Sequence, residues 1–78
     1  MKFPRDVAAS RMIRLLETLG YEKNRQTGSH VRLRHPSPPA HAITVPNHLT
    51  LKIGTLRAIL LDVAAARQIS LDDLLRQL

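Results

Sequence analysis

The sequence contains no cysteine. No disulfide can staple the fold and thiolate zinc sites are excluded, a composition compatible with a reducing cytosol. Aromatic residues are nearly missing too, with one Phe, one Tyr and no Trp. The core must therefore be aliphatic, and a platform of aromatic rings stacking single-stranded bases is not available. No apolar run approaches the roughly 18 residues of a membrane span. The first stretch, "MKFPRDVAASRMIRLL", spaces its apolar residues as a helix does and not as the block of a signal peptide. Finally, acids are absent from the middle: no Asp or Glu occurs between Lys23 and Leu61.

What remains is basic. The 78 residues carry twelve Lys and Arg against six Asp and Glu, a formal charge of +6. Lys23, Arg25, Arg32, Arg34, Lys52 and Arg57 all lie in the acid-free stretch, together with all four histidines, His30, His35, His41 and His48. Such an imbalance costs self-repulsion that a polyanionic partner relieves. The length allows one domain, 1–78, with a simple core.

Periodicity orders the elements. Met12, Leu15, Leu16 and Leu19 follow the i, i+3, i+4, i+7 spacing of an amphipathic helix, with Ala8 one turn earlier. Asp6 is the expected N-cap, Gly20 the left-handed terminator and Tyr21 the apolar contact after it. "YEKNRQ" (21–26) alternates poorly and reads as a polar edge strand. "TG" is a turn signal. "HVRLR" alternates cleanly, sending Val31 and Leu33 one way and His30, Arg32 and Arg34 the other. "HPSPPA" breaks the chain, and "HAITVP" is a third strand with Ile43 and Val45 inward, ended by Pro46. Leu56, Ile59, Leu60 and Val63 mark a second helix. Ser70 caps a last short one, with Asp72 and Asp73 in its first turn.

The expected fold class is α+β, α-β-β-β-α: a three-stranded antiparallel sheet with helices on one face and a short extra C-terminal helix. The other face stays open, and His30, Arg32 and Arg34 lie on it.

Little chemistry suits these residues. The four histidines are spaced by 5, 6 and 7 positions, with no H-x-x-x-H pair, so a convergent metal site is not expected. Ser29 has no base held by a third group, and there is no phosphate-binding glycine loop or carboxylate pair. RNA asks for less, because its 2′-hydroxyl is already a nucleophile. A protein has only to hold the phosphate, stabilise added negative charge and move a proton. An imbalance of arginines supplies the charge stabilisation, and a histidine titrating near neutrality moves the proton. His30 with Arg32 and Arg34 meets both needs, although a hairpin histidine on a basic surface would look the same. Lys52, ahead of the amides of Gly54 and Thr55, forms a candidate phosphate corner or an ordinary helix start. His48 is a candidate proton donor or RNA contact, or merely a loop residue; His35 and His41 are expected at the surface.

Taken together, "GY" after the first helix, "GSH" (28–30), "VPNH" (45–48) and "KIGTLRAIL" (52–60) resemble the HicA-type mRNA interferase toxins. The resemblance covers nearly the whole chain in order. It implies a fold like a double-stranded-RNA-binding domain, a bacterial cytoplasmic location and metal-independent cleavage of mRNA with no cofactor. It also implies His30 as the catalytic histidine, and a HicB-like antitoxin whose partial RNase-H-like domain covers the active site. The expected RNA contacts are Lys23, Arg25, Gly28, Ser29, Arg32, Arg34, His48, Lys52 and Arg57; neither membrane association nor direct DNA binding by this chain is expected. The alternative is a non-catalytic RNA-binding module that represses translation by occupancy, and a third class is a protein-interaction domain. Two stretches depart from the family: "AAARQIS" replaces the usual helix ending, and "HPSPPAH" is proline-heavy. Neither touches "GSH".

Overall fold

A computed structural model describes residues 2–78. Its elements are α1 (Ala9–Thr18), β1 (Glu22–Thr27), β2 (His30–His35), β3 (His41–Pro46), α2 (Ile53–Arg67) and α3 (Leu71–Gln77). The three strands form one antiparallel sheet in the order β1-β2-β3. The helices cover one face, as the patterning requires.

The core follows from the same alternation. On β2 every second residue is buried, Val31, Leu33 and His35, while His30, Arg32 and Arg34 are exposed. Ile43 and Val45 of β3 point the same way as Val31 and Leu33, opposite which they stand in register. Against them pack Met12, Leu15 and Leu16 of α1, Leu56, Ile59, Leu60 and Val63 of α2, and Leu74 of α3. Burying one such aliphatic side chain contributes roughly 1.5–3 kcal/mol, so this sheet-to-helix layer is what holds the hairpin in place.

The end of α1 follows its sequence signal. Gly20 takes φ +104°. Its amide donates to the Glu17 carbonyl at 3.0 Å and the Tyr21 amide to the Leu16 carbonyl at 3.0 Å, the paired closing bonds of a Schellman ending. A Cβ on Gly20 would also lie 2.8 Å from Nε2 of His35, so two constraints favour glycine here.

The start of α1 differs from expectation. Asp6 is not the cap; it sits outside the helix at φ +59°, and the N-cap residue, Ala8, has no side chain able to serve. The Ala9 amide instead donates to the carbonyl of His48 at 3.1 Å. A distant loop carbonyl satisfies the free helix amide, which no local sequence signal announces. Ser70 does cap α3, accepting from the Asp73 amide at 3.1 Å. In "AAARQIS" Gln68 takes the left-handed position at φ +54° that ends α2, a place glycine fills more cheaply.

His35 and His41 are not surface residues. His35 is only 9% exposed. Its Nε2 donates to the Leu19 carbonyl at 3.0 Å, which leaves Nδ1 to accept from Nη1 of Arg67 at 2.8 Å and the Ser37 amide at 3.2 Å. His41 bridges the hydroxyl of buried Tyr21, 2.6 Å from Nδ1, and the carboxylate of Asp62, 3.2 Å from Nε2. Arg67 also donates to the carbonyl of Pro39. This polar cluster fastens the β2–β3 connection to α2, at the end of the sheet away from His30. Burial pushes the Tyr21 hydroxyl above its usual range, opposed by Arg67 and reinforced by Asp62.

Candidate functional site

The uncovered face of the sheet can be read from its register, since directly opposed residues of antiparallel strands project to the same side. One row holds Thr27, His30 and Pro46; the next holds Arg25, Arg32 and Thr44; the last holds Glu22, Arg34 and Ala42. Three arginines and one histidine thus share a face with one carboxylate. His30 lies at the hairpin end, where Gly28 (φ +56°) and Ser29 form the two-residue turn between β1 and β2. Positive φ at the first turn residue alone matches the hairpin turns that favour glycine there.

A β-bulge decides which cations belong to this face. The register of β1 shifts between Lys23 and Arg25, making Asn24 the extra residue. Without it the two basic residues, two apart, would project to one side. With it Arg25 stands opposite Arg32 on the open face. Lys23 stands opposite Leu33, on the side the helices cover. Lys23 is therefore not brought together with His30.

The remaining expected residues divide in the same way. The Asn47 amide donates to the Ser29 carbonyl at 2.6 Å and the His48 amide to the Pro46 carbonyl at 2.9 Å. These bonds bring the "VPNH" turn to the hairpin that carries Gly28, Ser29 and His30, with His48 exposed two residues past the position opposite His30. Lys52 and Arg57 belong to α2, in the layer behind the sheet. Lys52 is the N-cap residue of α2 with no side-chain cap bond, and the guanidinium of Arg57 lies 6.0 Å from the centre of the Phe3 ring. The open face and the start of α2 are thus two separate basic surfaces.

Thr44 and Thr27 add hydroxyl groups to the face that were not among the expected contacts. Nη1 of Arg32 donates to the hydroxyl of Thr44 at 3.0 Å, which steadies the guanidinium across β3. Thr27 flanks His30 from β1. The alternation of Thr44 with buried Ile43 and Val45 signals its side, but its partner follows only from the register. Among the described residues, Arg25, Arg32 and Arg34 form no salt bridge. No group of three or more His, Cys, Asp or Glu among them has the arrangement of a metal site.

The open face thus gathers three arginines without an ion pair among the described residues, with the His30 imidazole at one end. A protein-family model, "HicA toxin of bacterial toxin-antitoxin", matches residues 9–70, the span from the start of α1 to the cap of α3. The chain belongs to the HicA toxin family. Comparison with curated proteins and with solved structures gave no match. Membership makes the chain the toxin side of a toxin–antitoxin pair, and the matched span contains every residue of the open face. No helix among the described residues is long and apolar enough to cross a membrane.

Proposed function

We propose that this HicA-family toxin is an endoribonuclease of the bacterial cytoplasm that cleaves mRNA, acting as one domain over 1–78. One observation supports the reading above others: Arg25 and Arg32, both cationic, stand directly opposite each other beside His30, with no ion pair to either among the described residues. Like charges in directly opposed positions destabilise a sheet. A phosphodiester laid between them converts that repulsion into two charge-assisted contacts.

In the proposed reaction the ribose 2′-oxygen attacks the adjacent phosphorus and the bond to the 5′-oxygen breaks. A cyclic phosphate and a free 5′-hydroxyl result. His30 takes the proton of the 2′-hydroxyl or delivers one to the leaving 5′-oxygen, and His48 is the candidate for the complementary transfer. The arginines offset the negative charge that accumulates on the phosphoryl oxygens. Gly28 and Ser29 shape the turn that presents His30, and Lys52 and Arg57, on the separate basic surface at the start of α2, are candidate contacts for distant parts of a longer RNA. No metal or cofactor has a role in these steps. Neutralisation follows from a HicB-like antitoxin covering the sheet face, which hides His30.

The test is expression in bacteria with and without the cognate antitoxin, alongside cleavage of a purified transcript in EDTA. Growth arrest relieved by the antitoxin, with cleavage that survives chelation, is the expected result. Intact transcripts during arrest would favour repression by occupancy instead, and loss of cleavage in EDTA would contradict metal independence.

A further inference from the structure

Resting on the ribonuclease reading, we infer that the toxin holds its RNA on one side only of the bond it cleaves. The backbone runs along β2 from His30 toward Arg34, and the first phosphate beyond the scissile one sits between Arg25 and Arg32.

The asymmetry is built into the rows of the face. His30 occupies the last row at the hairpin end. Beyond it at the hairpin end come Gly28, Ser29, Asn47 and His48; none is a lysine or arginine, and His48 belongs with His30 to proton transfer at the scissile bond in the proposed reaction. In the other direction each step of two residues, about 6.8 Å along a strand, meets another arginine: first Arg32 with Arg25 opposite, then Arg34. The two positions are unequal. Arg34 stands opposite Glu22, whose carboxylate weakens its attraction for phosphate, whereas Arg32 stands opposite a second arginine. The bond from Arg32 to Thr44 fixes one side of the stronger position. The paired positions of the rows beyond His30, Arg25–Arg32–Thr44 and Glu22–Arg34–Ala42, hold no aromatic ring for stacking and no carboxamide for reading a base edge, so contact with this track is contact with phosphate and ribose.

The other basic surface does not extend the track. Phe3, Arg5, Ile53 and Arg57 line a groove of about 630 Å³ beside the start of α2, in the helical layer. No residue of the open face lines it.

An oligonucleotide with a single ribonucleotide among 2′-O-methyl residues has one cleavable bond, because only that residue keeps a free 2′-hydroxyl. A neutral methylphosphonate placed singly at each flanking linkage then maps the charge contacts of the wild-type protein. The expected result is a rise in KM on the order of tenfold when the first linkage on one side is neutral. A smaller rise is expected at the second linkage on that side, and almost none on the other side. In Arg32→Ala the penalty at the first linkage should largely disappear, which ties it to this position. Equal penalties on both sides, or an undiminished penalty in Arg32→Ala, would overturn the one-sided track while leaving the ribonuclease reading intact. Failure of the wild-type protein to cleave any RNA would overturn both.

Discussion

Arg25 and Arg32 face each other across the β1–β2 ladder, on the side of the sheet that no helix covers. The pairing is unfavourable for the isolated protein, since like charges in directly opposed positions destabilise a sheet. In the proposed function, a phosphodiester bound between them offsets this cost. Replacing either arginine by Gln should leave the folded state as stable as the wild type or slightly more stable. The same change should weaken RNA binding for all sequences alike and reduce the slope of log affinity against log salt by about one. Urea denaturation together with a salt titration of binding checks both halves. A destabilised variant with unchanged salt dependence would argue that the pair is structural.

Thr44 provides a finer test of the same position. Its hydroxyl accepts from Arg32 at 3.0 Å on an exposed surface, so its role is to orient the guanidinium. Thr44→Val keeps the shape and strand preference but removes the acceptor. We expect RNA affinity to fall a few-fold, in line with about 0.5–1.5 kcal/mol for one hydrogen bond. Thr44→Ser should restore most of it, with stability nearly unchanged across the series. A loss shared equally by the serine variant would place the effect in packing.

How much of this was legible in the sequence depends on where the signal was local. The alternation of "HVRLR" placed His30, Arg32 and Arg34 on one face and Val31 and Leu33 on the other, as observed. β1 gave no such guide. All six of its residues are exposed, so burial imposes no pattern, and the bulge at Asn24 sends Lys23 and Arg25 to opposite sides. From sequence alone both Lys23 and Arg25 are expected as phosphate contacts. His35, expected at the surface, is buried, and its partner Arg67 lies 32 residues away on α2, where no local pattern announces it. Asp6 failed as a cap for a similar reason: the carbonyl that closes α1 belongs to His48. Where a neighbour within a few residues decides the structure, the pattern shows it; where tertiary pairing decides, it does not.

Tyr21 allows a measurement free of overlap, since it is the only tyrosine. Burial holds its hydroxyl above the ordinary tyrosine range in the folded protein. A raised folded-state pKa means that this contribution to stability is fully present below the unfolded pKa. It is lost as pH climbs toward and through the folded value. Tyrosinate absorbance should therefore appear at higher pH in the native protein than in denaturant. The alkaline fall in stability should be shallower in Tyr21→Phe. That variant also loses the bond to His41 and should be roughly 1–2 kcal/mol less stable near neutral pH. Coincident native and denatured titrations would contradict the buried hydroxyl.

The central claim is that His30 performs proton transfer on RNA gripped by the arginine rows. His30 is exposed and takes part in no core packing, so His30→Ala should fold like the wild type. The most direct measurement compares the two proteins for RNA binding and transcript cleavage, in solution and during expression in bacteria. The account predicts that the variant binds RNA within a few-fold of wild type while cleavage and growth arrest vanish. A variant that still cleaves transcripts and arrests growth as the wild type does would contradict it.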